Sequence, residues 1–130
     1  MAGEAQPPLT VLLVEDDKPL LGFFSTILRR EGYAVLIVEN GLEALELAER
    51  EPEAPIDILL TDVSMPYMGE IQLAKSMMKT RPKLLVLLTS GLPFQEVTDR
   101  CGPEFRSDFL AKPFSVSELA GKINTLAKAA

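Results

Sequence analysis

The chain has 130 residues, a formal net charge of −6 and a single cysteine. This length suits one domain with its own hydrophobic core and is too short for two. The acidic balance and the lack of a basic run argue against direct binding to nucleic acid or an anionic membrane surface. No apolar stretch approaches the ~20 residues of a membrane span, and no signal-peptide layout opens the chain, so we expect a cytoplasmic protein without membrane insertion.

Short apolar runs alternate with helical stripes along the chain. Residues 1–8 are predicted to be a flexible arm, and residues 9–130 a single domain. In chain order, strands are predicted over residues 9–14, 33–39, 56–62, 83–90 and 107–112. Helices are predicted over residues 18–30, after the cap residue Asn40 with Glu43 three positions later, around the stripe 71–78, over residues 93–101, and after a capping box of Ser115 and Glu118.

Strands that are apolar throughout and joined by helices predict an α/β fold, a doubly wound five-stranded parallel sheet with helices on both faces. Ligands of such sheets bind beyond the carboxyl ends of the strands. Here four of those ends carry acids, hydroxyls or a lysine. They are Glu15, Asp16 and Asp17 after the first strand, Asp62 after the third, Thr89 and Ser90 after the fourth, and Lys112 after the fifth.

The acids at these strand ends predict phosphoryl chemistry. Asp16 and Asp62, with Glu15 behind them, offer the hard oxygen ligands that suit Mg²⁺. Asp62 ends the central strand and is the best-placed nucleophile, because a carboxylate can become an acyl phosphate. Lys112 would supply fixed positive charge, and a hydroxyl from strand four would donate to a phosphoryl oxygen. Each acid alone is more often a solvated loop carboxylate, so the interpretation depends on their convergence.

The segments "VLLVEDD", "ENGLEAL", "DILLTDVSMPYM", "VLLTSG" and "FLAKPF" together resemble the receiver domain of two-component response regulators, including the chemotaxis-type regulators. The likeness spans about residues 9 to 127, and the order and spacing of the segments make it specific. One departure is Gly69-Glu70, where the family usually has an acid followed by glycine. The resemblance implies a flavodoxin-like sheet with strand order 2-1-3-4-5.

The resemblance also implies individual roles. The implied set is the acidic pair Glu15 and Asp16, the phosphoacceptor Asp62, the main-chain carbonyl of Ser64 as a further Mg²⁺ ligand, the switch hydroxyl Ser90, the phosphoryl-contacting Lys112 and the switch aromatic Phe109. Thr89 is the alternative hydroxyl, since neighbours in a strand point to opposite faces. The small residue that the family has after the hydroxyl is matched by Gly91, which favours Ser90. The sequence does not decide whether Phe109 is a switch residue or an ordinary core residue.

The function that the resemblance implies is that of a signalling acceptor rather than an enzyme with a separate substrate. A histidine kinase or histidine phosphotransfer protein would donate a phosphoryl group to Asp62, with Mg²⁺-dependent self-phosphorylation and autodephosphorylation. The switch would change contacts with an output partner that the sequence does not identify, and a weak homodimer is compatible with it. Both a stand-alone regulator and a piece of a hybrid kinase or larger regulator fit the sequence.

Three other functions are less consistent with the residues. A pseudo-receiver that only binds partners would not need the complete set of acids, hydroxyl and lysine. A flavin-binding electron carrier would need a phosphate-cradling loop after the first strand, where Glu15 and Asp16 would repel phosphate. A phosphohydrolase with an aspartate nucleophile would need a second aspartate two residues after Asp62, where Ser64 stands.

Overall fold

In the computed structural model of the chain, residues 8–51, 55–62, 69–91, 108–112 and 114–128 are described. Most of the predicted arm and the helix predicted over residues 93–101 lie outside these ranges. Within them, strands and helices alternate as the sequence predicts from β1 to β4, and β5 is followed by a helix. The elements are β1 (Thr10–Val14), α1 (Lys18–Arg30), β2 (Ala34–Val38), α2 (Gly41–Arg50), β3 (Ile58–Asp62), α3 (Gly69–Thr80), β4 (Leu85–Ser90), β5 (Asp108–Ala111) and α4 (Val116–Lys128).

The strands form one parallel sheet with the order β2-β1-β3-β4-β5, which confirms the predicted fold class and strand order. Val14 of β1 pairs with Thr61 of β3, and the next residue of β3, Asp62, pairs with Thr89 of β4. Because all strands run in the same direction, their carboxyl ends share one edge of the sheet. The last residues of β3 and β4 and the residues directly after β1 and β5 therefore share this edge, although they are far apart in sequence.

Helices cover both faces of the sheet and bury alternate residues of each central strand. On one face, Leu12 and Leu59 pack with side chains of α2 and α3. On the other face, Leu13 and Leu60 pack with side chains of α1 and α4. Each of these leucines is at most 1% exposed, and full burial of such a side chain contributes roughly 1.5–3 kcal/mol to stability. This double-sided core makes the sheet a rigid support for the residues at its carboxyl edge.

The helix starts follow the predicted capping residues, with one difference. Ser115 and Glu118 form a complete capping box at α4, since each backbone N–H donates to the side chain of the other. At α2, Asn40 Oδ1 accepts a hydrogen bond from Glu43 N at 2.9 Å. Glu43 Oε1, however, accepts from Glu39 N at 2.9 Å, one residue before the cap. Glu43 thus joins the end of β2 to the start of α2.

The third strand begins two residues later than predicted, at Ile58. Asp57 lies just before it, and its Oδ2 accepts a hydrogen bond from Thr10 N at 2.8 Å. The backbone of Asp57 also bonds to both neighbouring strands, since its N–H donates to Thr10 O at 2.9 Å and its carbonyl accepts from Leu85 N at 3.0 Å, so the predicted start lies close to the observed one. Among the helices within the described ranges, none is long and apolar enough to cross a membrane.

Candidate functional site

The three consecutive acids after β1 have three different environments. Glu15 is only 4% exposed, and its backbone N–H continues the pairing with β2 by donating to Val38 O at 3.1 Å. Asp16 is exposed. Asp17 is also exposed and caps α1, since its Oδ1 accepts from Leu20 N at 3.1 Å. Capping was not predicted for Asp17, although Pro19 in the first turn of the helix was a signal for it.

Glu15 is a carboxylate in an unfavourable position. Its Oε2 accepts a hydrogen bond from Asp17 N at 3.2 Å, whereas its Oε1 is buried without a hydrogen-bond partner among the described residues. Burial raises the pKa of Glu15 above its ordinary value, the Asp17 N–H opposes that shift, and the negative charge of Asp62 adds to it. A cation placed beside Glu15 would remove much of this penalty.

Asp62 and Lys112 form an ion pair at the carboxyl edge of the sheet. Asp62 is the last residue of β3, and Lys112 directly follows β5. Lys112 Nζ lies 2.5 Å from Asp62 Oδ2, and the two side chains are 25% and 17% exposed, respectively. The backbone N–H of Lys112 donates to Ser90 O at 2.8 Å, which fixes the start of the lysine side chain. The predicted nucleophile and the predicted cation are therefore in direct contact.

The two candidate hydroxyls are both buried at the end of β4. Thr89 is in register with Asp62, and Ser90 is in register with Ala111 of β5. Phe109 pairs with Leu88 and packs on the α2–α3 side of the sheet, whereas Leu110 packs on the opposite side. Phe109 and Leu110 therefore lie on opposite faces of the sheet, as neighbours in a strand do. The choice of Ser90 over Thr89 and the switch role of Phe109 stay predictions.

The donor set fits a hard divalent cation. Among the described residues, no three His, Cys, Asp or Glu side chains are grouped closely enough to hold a metal as they stand, and Lys112 occupies one oxygen of Asp62. Glu15, Asp16 and Asp62 nevertheless supply carboxylates at the ends of adjacent strands, and Glu15 has an unpartnered buried oxygen. Ser64, the other predicted ligand, lies outside the described residues.

An apolar cleft beside this ion pair was not predicted. It has a volume of about 450 Å³, and Leu20, Phe23, Phe24, Phe114 and Lys112 line it. The rings of Phe24 and Phe114 stack with their centroids 5.7 Å apart. Phe24 is buried, whereas the neighbouring Phe23 is 40% exposed. We refer to this feature below as the phenylalanine cleft.

Comparison with known proteins identifies the family. The model of the response regulator receiver domain matches residues 11–124. The response regulator receiver protein CpdR of Brucella abortus is 32% identical over 120 residues, which are 92% of this chain and 98% of CpdR. The transcriptional regulatory protein CreB of Escherichia coli is 32% identical over 90% of this chain. The chain spans 50% of the length of CreB and 12% of the sensor kinase CckA of Brucella abortus.

Solved structures agree with these sequence matches. A response regulator receiver protein from Sinorhizobium medicae superposes with a TM-score of 0.79 and 29% identity, covering 94% of this chain and 96% of its own. The chemotaxis protein CheY4 of Vibrio cholerae has the same fold, with a TM-score of 0.79 and 24% identity over 92% of this chain and 98% of its own. From the family match over residues 11–124 and the relative matched along nearly its whole length, we conclude that the chain belongs to the response regulator receiver domain family.

Proposed function

We propose that this domain accepts a phosphoryl group on Asp62 in a Mg²⁺-dependent reaction and thereby switches its affinity for an output partner. The observation that carries the proposal is the contact between Lys112 and Asp62, at the edge where Glu15 and Asp16 also lie. A nucleophilic carboxylate needs an adjacent positive charge, because the incoming phosphoryl group is itself anionic. Lys112 supplies that charge without a further rearrangement of the chain.

In the proposed reaction, an oxygen of Asp62 attacks the phosphorus atom, and the bond from phosphorus to the donor's leaving group breaks. Lys112 orients the carboxylate and contacts an equatorial phosphoryl oxygen as charge builds there. Glu15, Asp16 and Asp62, with the main-chain carbonyl of Ser64, would hold Mg²⁺. The ion would supply positive charge that offsets the repulsion between the acids and the phosphoryl group.

The structural response to phosphorylation would begin at the end of β4. The Ser90 hydroxyl, with Thr89 as the alternative, would donate a hydrogen bond to the phosphoryl group on Asp62. Phe109 lies on the same side of the sheet as Leu88, two residues before Ser90, so a displacement of Ser90 would alter the packing next to Phe109. We expect an output partner to distinguish the phosphorylated state from the unphosphorylated state at the surface around Phe109.

The proposed donor is a histidine kinase or a histidine phosphotransfer protein, acting in the cytoplasm. The relatives support this assignment through their names, since one is a sensor kinase and others are transcriptional regulatory proteins. CpdR, which is matched along nearly its whole length, shows that receiver proteins of about this size also occur. For the output partner we propose only a class, namely proteins that bind the phosphorylated and unphosphorylated states with unequal affinity.

Incubation with acetyl phosphate and MgCl₂, followed by intact mass spectrometry, tests the proposal. The wild type should gain one phosphoryl group, and Asp62→Asn should gain none. Asp17→Asn is the matched control, because it changes a neighbouring acid but keeps a side-chain oxygen for the cap of α1. Incorporation in Asp62→Asn would show that another residue is the acceptor, and no incorporation in the wild type would favour a pseudo-receiver.

A further inference from the structure

The phenylalanine cleft lies immediately beside the proposed acceptor. Lys112 is part of its wall, and the Nζ atom of Lys112 contacts Asp62 Oδ2 at 2.5 Å. The other described residues of the wall are apolar, and three of them are phenylalanines. A molecule with its phosphoryl group at Asp62 therefore has an apolar surface next to it, on the side of α1 and the segment before α4.

The dimensions and chemistry of the cleft match those of a small-molecule site. Ligand pockets have volumes of about 300–1,000 Å³ and are mostly apolar, with a few polar groups that fix orientation. The cleft has a volume of about 450 Å³, and Lys112 is the one cationic residue among the described residues that line it. A cavity of about 150 Å³ is sufficient for one benzene ring. The cleft can therefore accommodate an aromatic ring whose anionic end is directed towards Lys112.

We propose that the cleft binds the acyl group of aromatic acyl phosphates, so that the domain accepts its phosphoryl group from them in preference to acetyl phosphate. This inference depends on the proposed function and specifies the class of small donor. An oxygen of Asp62 attacks the phosphorus atom, and the bond from phosphorus to the acyl oxygen breaks. The electron pair leaves with the aromatic carboxylate, and no proton, oxidant or reductant is needed.

The expected preference follows from contacts that acetyl phosphate cannot make. Phe24 and Phe114 are stacked, and Phe23 lies against Phe24 with ring centroids 5.8 Å apart. A ring in the cleft gains aromatic contacts and buries apolar surface, whereas an acetyl group is too small for either. We expect the second-order rate constant for benzoyl phosphate to exceed that for acetyl phosphate by about threefold to tenfold, after correction for intrinsic reactivity.

The rate constants of phosphorylation by benzoyl phosphate and acetyl phosphate test the proposal, each normalised to the rate at which the donor's dianion hydrolyses at neutral pH, a reaction that also breaks the P–O bond. Phe23→Ala is the informative variant, since the 40% exposure of Phe23 lets the fold tolerate its loss. We expect the benzoyl-to-acetyl ratio to fall about threefold or more in this variant. Leu42→Ala is the matched control, because Leu42 is 67% exposed on α2 and is not among the described residues that line the cleft. The control should keep the wild-type ratio.

Binding of benzoate alone provides a readout that needs neither phosphorylation nor metal. In wild-type protein, benzoate should shift the NMR signals of the ring protons of Phe23, Phe24 and Phe114, and the shifts should weaken in Phe23→Ala. A normalised ratio near one in the wild type, or the same ratio in Phe23→Ala as in Leu42→Ala, would overturn the inference. If acetyl phosphate also fails to label the wild type, the proposed function itself is wrong, so the two failures are distinguishable.

Discussion

Lys112 holds Asp62 through an ion pair of 2.5 Å, although 50 residues separate them in the sequence. Asp62 is therefore neutralised on one oxygen before any phosphoryl group or cation reaches it. The proposed Mg²⁺ would therefore have to bind through the remaining oxygens of the site.

The first prediction concerns the ion pair itself. Lys112→Ala removes the positive charge beside the Asp62 carboxylate and leaves its repulsion with Glu15, so the free energy of unfolding should fall by about 1–2 kcal/mol, between the values typical of exposed and buried pairs. Urea unfolding at neutral pH in EDTA measures the change. Lys83→Ala, at an exposed position, is the control and should differ little from the wild type. Equal losses in the two variants would show that the pair does not stabilise the fold.

A second prediction concerns pH. Burial raises the pKa of Glu15 in the folded state, so the folded state retains this proton at pH values where the unfolded chain, with the ordinary value of 4.5, has lost it. The Glu15 contribution to stability is therefore favourable at low pH and is lost as pH rises from about 4.5 through the raised pKa. Above that window the ionised, buried carboxylate destabilises the fold.

Glu15→Gln removes this titration. In EDTA, we expect the variant to be more stable than the wild type at pH 7 by about 1 kcal/mol, with a smaller decline in stability above pH 4.5. Urea unfolding at a series of pH values compares the two proteins. If their stabilities differ by a constant amount across that series, the buried carboxylate is not the titrating group.

Third, Mg²⁺ should stabilise the folded domain, because it relieves repulsion among Glu15, Asp16 and Asp62. At a concentration about tenfold above its dissociation constant, the ion would add about 1.4 kcal/mol, or roughly 4 °C in melting temperature. Asp16→Ala should reduce that shift, whereas Asp17→Asn should retain it. A full shift in Asp16→Ala, measured by thermal melting with and without MgCl₂, would exclude Asp16 as a ligand.

The fourth prediction separates Asp17 from its acidic neighbours. Asp17→Ala removes the hydrogen bond from Leu20 N and should lower stability by about 1 kcal/mol through loss of the cap of α1. Asp17→Ser keeps a capping oxygen and should restore most of that loss. The stabilisation by Mg²⁺ should be the same in both variants as in the wild type. A diminished Mg²⁺ response would instead place Asp17 among the metal ligands.

Much of the fold could be predicted because strand and helix patterns differ clearly in this chain. Continuous apolar runs such as residues 10–14 are buried on both sides, and the capping box of Ser115 and Glu118 occurs as expected. The strand order came from the resemblance to receiver domains. Strand ends were less predictable, since β3 starts at Ile58 although the backbone of Asp57 already bonds to Thr10 and Leu85 in the neighbouring strands.

The candidate site was predicted at the level of residue identity but not of contacts. The alignment of strand ends brought Asp62 and Lys112 to one edge, yet their pairing depends on the register of β3, β4 and β5, which local periodicity does not contain. Helical periodicity likewise predicted which side of α1 faces the core, but not which residues at the border of that side are buried. Phe23 lies at the border of that side, so its exposure and the phenylalanine cleft became visible only in three dimensions.

The hydrogen bond from Lys112 N to Ser90 O, 2.8 Å long, links the predicted switch residue to the lysine through main-chain atoms only. Side-chain substitutions at Ser90 leave that link in place. Ser90→Ala therefore removes the hydroxyl while the lysine keeps its anchor, and Lys112→Ala removes the ammonium while β4 and β5 keep their pairing. The two variants would therefore separate the proposed phosphoryl transfer from the proposed transmission of the signal, because each deletes one chemical function without detaching the neighbouring strand.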